Sequence, residues 1–95
     1  MDIDIKKGEN MFYIGDDDVN PEAYISYKLD DDGDFIVDST LVPDHMSGQG
    51  VGSSLVSVMV DYAKQENKKI VPECPFARAV MERDEEAMQV IKSDG

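Results

Sequence analysis

Apolar and polar positions alternate along the first half of the chain and recur with a period near four along the second. Ile3 and Ile5 stand between Asp2, Asp4 and Lys6, and Lys7-Gly8-Glu9-Asn10 supplies turn chemistry before the apolar run Met11-Phe12-Tyr13-Ile14, a pattern that predicts a hairpin. After an acidic turn from Gly15 to Pro21, Ala23-Tyr24-Ile25-Ser26-Tyr27-Lys28-Leu29 alternates again. Asp30-Asp31-Asp32-Gly33 then turns into Asp34-Phe35-Ile36-Val37-Asp38-Ser39-Thr40-Leu41-Val42. Four strands joined by short turns predict an antiparallel meander.

Past Pro43 the period changes. Val51, Leu55, Val58 and Tyr62 recur with Ala63 beside them, which predicts one buried stripe of a helix from about Gly50 to Gln65, closed by Asn67-Lys68-Lys69. Lys69-Ile70-Val71-Pro72 predicts a short strand parallel to the one ending at Val42, reached by a right-handed crossover. Pro75 fits the first turn of a further helix carrying Phe76, Ala79 and Val80. Asp84 is placed to cap a last segment with Ala87, Val90 and Ile91 on one face. No repeat or linker is visible, so the expectation is one α/β domain of the α+β kind over residues 1–95.

Composition narrows the chemistry. No apolar run approaches the ~20 residues that span a bilayer, and Met1 is followed by acidic residues rather than by a signal sequence, which makes the cytoplasm the expected compartment. The single cysteine, Cys74, can form no internal disulfide and no thiolate-pair metal site. Against 9 Lys and Arg stand 21 Asp and Glu, a formal charge of −12, so counterion release on a nucleic-acid backbone is not available. Asp16-Asp17-Asp18 and Asp30-Asp31-Asp32 concentrate hard oxygen ligands but lack the spacing and following Glu of a calcium loop, and they read as solvated turns with no metal.

The candidate site is Ser47-Gly48-Gln49-Gly50-Val51-Gly52, where a strand gives way to a helix. Glycines there let the backbone N–H groups of a first helical turn converge on an anion, with the helix dipole favouring negative charge, and a diphosphate suits such a loop. A Walker loop needs a lysine, and none occurs between Lys28 and Lys64. A dinucleotide fingerprint would follow the first strand of a parallel sheet with another glycine spacing. A glycine turn that only joins strand to helix stays open as an alternative.

The stretch Val42-Pro43-Asp44-His45-Met46-Ser47-Gly48-Gln49-Gly50-Val51-Gly52-Ser53-Ser54-Leu55 resembles the acetyl-coenzyme A motif of the GNAT acyltransferase superfamily, Gln or Arg, two residues, Gly, one residue, then Gly or Ala. Lys69-Ile70-Val71-Pro72-Glu73-Cys74-Pro75-Phe76 is similar to the strand and Cys-Pro-aromatic segment of its short, stand-alone YjdJ-type branch. The resemblance implies a minimal GNAT-like fold and an N-acetyltransferase that moves acetyl from acetyl-coenzyme A to an amine. It places the diphosphate at Gly48, Gln49, Gly50, Val51, Gly52 and Ser53, pantetheine along Thr40, Leu41 and Val42, and the thioester near Cys74. A thiol there could take the acetyl group before passing it on, or be a small buried hydrophobe. Ser47 stands where the motif has Arg or Gln, and Ser39 precedes Thr40 where this branch has His. His45, the only histidine, falls in a variable loop position, and Glu73, Tyr13 and Tyr24 are available as bases without any being singled out. The alternative function is a module that carries or senses acetyl-coenzyme A without turnover.

Overall fold

The computed structural model describes residues 4–17, 19–46, 48 and 50–92. Its chain opens with β1 (Lys6–Gly8) and β2 (Met11–Ile14), joined at Gly8↔Met11 by a two-residue turn in which Asn10 takes φ 58. The first strand therefore starts later than the Ile3/Ile5 alternation predicts. Asn tolerates the left-handed conformation, so the turn forms at Glu9-Asn10, and Lys6, Lys7 and Gly8 are drawn into the ladder. Ile3 lies outside the described residues. Next come β3 (Ala23–Leu29) and β4 (Phe35–Leu41), then a 3₁₀ turn at Asp44–Met46, α1 (Val51–Gln65), β5 (Ile70–Pro72), α2 (Pro75–Glu82) and α3 (Glu85–Met88).

The sheet order is β1-β2-β3-β4-β5, antiparallel throughout except for the parallel pair β4–β5, as the meander and crossover require. Phe12, Ala23, Ile25, Tyr27, Phe35 and Val37 point to one face and are buried, while their neighbours Tyr13, Tyr24 and Ile36 take the other and are half-buried. α1 lies on the buried face. Its Tyr62 ring stacks on Phe35 at 5.2 Å and meets Phe12 edge-on at 5.4 Å. The fully buried Leu55 and Ile25 each contribute roughly 1.5–3 kcal/mol by leaving water.

The helix stripe departs from the predicted one. Val51, Leu55 and Ala63 are buried, but Val58 and Tyr62 are only half-buried, and Val56, Met59 and Val60 are buried instead. The reason is a second contact: α1 packs on α2 as well as on the sheet, so its buried arc is wider than one face. Of the residues α2 carries, Ala77 and Met81 are buried and Val80 packs against the core in part, while Phe76 is left 45% exposed. Pro75 occupies its first turn, and the Asp84 side chain caps α3 by accepting from the Glu86 N–H, both as the sequence indicates. The chain end returns to β5: Ile70 N–H donates to the Val90 carbonyl at 2.7 Å and Lys92 N–H to the Ile70 carbonyl at 2.8 Å. Among the described residues no helix is long and apolar enough to cross a membrane.

Two irregularities in β4 shape the C-terminal end of that strand. Ser26 pairs with Ser39 and Tyr27 with Val37, so Asp38 is an extra residue, a bulge whose carboxylate accepts from the Ser26 hydroxyl at 2.8 Å. Beyond it the inward parity of the strand is reversed. On the other edge, pairing with β5 ends at Val37↔Pro72, and the Val37 carbonyl accepts from both Glu73 N–H (3.0 Å) and Cys74 N–H (3.1 Å). Residues 39–41 are thus paired to β3 alone, and β4 and the chain after β5 part company there.

Candidate active site

The gap opened by that parting leads into a cleft of about 490 Å³ at the C-terminal end of β4. Thr40 and Val42 form one wall, Asp44 and Met46 of the 3₁₀ turn a second, Gly48, Gly50, Val51, Gly52 and Ser53 a third, and Phe76 of α2 the remainder. Seven of the residues predicted from sequence meet here: Thr40, Val42, Gly48, Gly50, Val51, Gly52 and Ser53. Gln49 and Ser47 lie outside the described residues. Leu41 faces away, 47% exposed and paired with Tyr24, because the Asp38 bulge gives the inward positions to Thr40 and Val42.

The donor wall follows from backbone conformation. Gly48 has φ +82 and Gly50 φ +78, values that L side chains rarely adopt, and a Cβ at either would point into open space. Gly50 is the residue before α1 and brings no side chain to cap it, and the first turn of α1 holds no acidic residue. The first intrahelical bond runs from Ser54 N–H to the Gly50 carbonyl at 2.9 Å. The N–H groups of the preceding turn are the ones every helix leaves without an internal partner. They lie along a cleft in which Asp44 is the only charged lining side chain among the described residues, and the positive end of the helix dipole favours an anion there.

Cys74 sits one layer behind the cleft. It is 8% exposed, does not line the cavity, and its thiol donates to the Thr40 hydroxyl at 3.6 Å. Cys74 directly precedes α2, and its side chain closes no capping hydrogen bond. Burial pushes the thiol pKa up, but the backbone N–H of Ala77, the Thr40 hydroxyl and the backbone N–H of Phe76 together outweigh burial, and the net shift is downward. The arrangement therefore eases ionisation of the thiol while limiting access to it.

The other candidate bases stand elsewhere. Tyr13 and Tyr24 pair with each other on the face of the sheet opposite the core, and Glu73 is exposed just past β5. His45 is exposed in the 3₁₀ turn between two lining residues. Three lining residues were not singled out by sequence reasoning. Asp44 and Met46 belong to a turn without periodicity, and Phe76 carries the signal of a core aromatic on a helix; only an aromatic placed directly after a helix-starting Pro hinted that it sits at an element's end.

At the opposite end of β4 the acidic turn is filled. Asp30, Asp32 and Asp34, alternate residues rather than the run Asp30-Asp31-Asp32, bring their carboxylates together. The Lys92 ammonium sits among them at 2.7, 2.8 and 3.0 Å. The Lys92 contact holds the Asp30 carboxyl below the usual range, the Lys69 N–H does the same first for Asp34, and all three carboxylates raise Lys92 above an ordinary lysine.

Known proteins share this architecture. A family model described as GCN5-related N-acetyl-transferase matches residues 11–90. The chain belongs to that family. It is 39% identical to a GCN5-like protein from Staphylococcus aureus whose NMR solution structure superposes with a TM-score of 0.80, covering 98% of this chain and 91% of that one. A ribosomal-protein-alanine N-acetyltransferase from Brucella melitensis biovar Abortus 2308, 18% identical over 90% of this chain and 64% of its own, shares the fold with a TM-score of 0.51. No curated protein matches the chain. The mixed sheet, with its parallel β4–β5 pair followed by helices, is the α/β arrangement of this family, the GNAT superfamily that the glycine motif resembles.

Proposed function

We propose that the cleft binds acetyl-coenzyme A and that the protein is an N-acetyltransferase acting on an amine. The observation that carries this reading is the open cavity at the uncapped start of α1, reached from the gap where β4 loses its β5 partner. A diphosphate there accepts hydrogen bonds from the backbone at Gly48, Gln49, Gly50, Val51, Gly52 and Ser53. This needs no lysine or arginine, which matters in a chain of charge −12. Pantetheine then runs along Thr40, Leu41 and Val42, with amide groups meeting the strand edge that β5 leaves free. This course brings the thioester toward Cys74.

With Cys74 as nucleophile, its thiolate attacks the acetyl carbonyl, the carbon–sulfur bond to coenzyme A breaks, and coenzyme A leaves as a thiolate that takes up a proton. The amine then attacks the S-acetyl cysteine, loses a proton and regenerates the cysteine. Thr40, donating to sulfur in the thiolate form, is placed to stabilise it. A second reading has its own support: the thiol does not line the cleft, and neither do Tyr13, Tyr24 and Glu73, an arrangement that suits a carrier or sensor of acetyl-coenzyme A.

Incubation with acetyl-coenzyme A and a panel of amines tests both. Transferase activity predicts release of free coenzyme A thiol that depends on the amine. A covalent route predicts a hydroxylamine-sensitive acetyl adduct on the wild-type protein and none on Cys74→Ser. Binding by calorimetry without thiol release selects the carrier, and absence of binding overturns both readings.

A further inference from the structure

Phe76 is a large aromatic side chain left 45% exposed, and its exposed surface is the wall of the cleft. Its position depends on a residue in another element. A Cβ built on Gly52, in the first turn of α1, would lie 2.6 Å from Phe76 Cε2 and closer still to Cζ, so the ring is seated directly on the glycine. Gly52, unlike Gly48 and Gly50, does not have a positive φ, and its backbone would accept alanine without strain. The motif that residues 47–52 resemble itself admits Gly or Ala at this last position. The demand for glycine here therefore comes from the ring and not from the helix.

We propose that Gly52 and Phe76 act as a pair that sets the aperture of the cleft: the missing Cβ at 52 lets the ring retract onto α1, and the retracted ring is the apolar wall against which the bound ligand lies. This rests on the reading of the cleft as a coenzyme A site and assigns a positioning role to two residues within it. A methyl group at 52 cannot be accommodated while the ring stays in place, because contacts under 3.0 Å force one partner to move. The helix backbone is fixed by its hydrogen bonds, whereas the ring is half in solvent and borders open volume. The ring yields, and its exposed side is the cleft. Gly52→Ala thus narrows the site without disturbing the helix that bears it.

The test is a double-mutant cycle on coenzyme A affinity, measured calorimetrically on wild type, Gly52→Ala, Phe76→Ala and the double variant. Gly52→Ala weakens binding by about tenfold in the Phe76 background, and the same change costs less than about twofold in the Phe76→Ala background. The melting temperature of Gly52→Ala is no lower than that of wild type, since alanine is the better helix former. Equal effects of Gly52→Ala in both backgrounds, or none in either, overturn the pairing. A ligand-free readout separates the seat from the site. The Phe76 ring current shifts a Gly52 Hα resonance in the wild-type NMR spectrum, and Phe76→Ala removes the shift; a Gly52 resonance unchanged by Phe76→Ala overturns the seat. A wild-type protein without coenzyme A affinity overturns the proposed function, and with it the aperture role, while the ring-current result still decides whether the ring is seated on Gly52.

Discussion

The two ends of β4 carry the two turns that concentrate chemistry in this chain, and they resolve it in opposite ways. At the N-terminal end, Asp30 accepts from the N–H groups of Asp32 and Asp34, Asp34 accepts from Lys69, and Lys92 brings a cation from the far end of the chain into the centre. At the C-terminal end, Gly48 and Gly50 line an open cavity at the start of α1, which no side chain caps. The first turn concentrates hard oxygen ligands, reads in the sequence as a solvated turn, and closes on itself around Lys92. The second is built from residues with almost no side chains and stays open. Concentration of charged residues is therefore a poor guide to where this fold leaves an open cavity; the state of the local hydrogen-bonding groups is a better one.

Matched glycine substitutions should break the comparison most sharply. Gly33 in the acidic turn and Gly50 in the cleft have nearly equal positive φ, 83 and 78. Valine at either position should lower stability by about 1–3 kcal/mol through backbone strain, as read from denaturant melts. Only Gly50→Val should also weaken coenzyme A, by about 100-fold or more. Equal binding losses in the two variants would show that general strain, and not the glycine loop, governs affinity.

Lys92→Met tests the closed end. It leaves three converged carboxylates without their cation, and the melting temperature should fall, more at low salt than at high. Coenzyme A affinity should be unaffected. The pH dependence has a definite sign. Asp30 and Asp34 have folded pKa values below the usual carboxylate range, so their stabilisation is present above the unfolded value and is lost as pH falls through the folded one. Lys92 has a raised value, so its stabilisation is complete below the ordinary lysine pKa and is lost only at higher alkalinity. The difference in melting temperature between wild type and Lys92→Met should thus hold constant through neutrality and shrink below the ordinary carboxylate range. A difference that disappears near neutral pH would count against the clasp.

A smaller effect is expected at the thiol. Thr40→Val removes one of the groups that lower the Cys74 pKa, and the pH midpoint for alkylation by iodoacetamide should move upward. No movement would mean that the hydroxyl does not bear on the sulfur. The smallest effect concerns Ser47→Arg, which restores the residue usual in the motif and should tighten coenzyme A by a few-fold through added phosphate hydrogen bonds. Weaker binding would argue against the orientation assigned to the loop.

Much of the fold and of the cleft was legible along the chain. Alternation in residues 11–41 gave the meander, because a half-buried strand must alternate, and the recurrence of Val51, Leu55, Val58 and Tyr62, with Ala63 beside them, gave the main helix though not its full buried arc. The glycine motif and the strand before it located seven lining residues of the cleft, and the need for positive φ at Gly48 and Gly50 is a local property that a residue type announces. Capping by Asp84 and the start of α2 at Pro75 are local in the same sense. The burial of Val56, Met59 and Val60 was not, because it depends on how the chain after β5 turns to lay α2 beside α1.

What the sequence by itself determined is the set of elements and the place of the glycine loop, properties fixed by neighbours a few residues away. Tertiary structure alone decided which side chains face the cleft. The Asp38 bulge reverses the parity of β4 only because Ser26 and Tyr27 of β3 pair on either side of it, and that turns Thr40 and Val42 inward and Leu41 out. Phe76 lines the cleft because Gly52, on another helix, gives its ring a seat. Lys92 fills the acidic turn because the chain end returns along β5. In each case the deciding partner is far away in sequence, and no local pattern of polar and apolar residues encodes a register or a contact between elements that meet only in the folded chain.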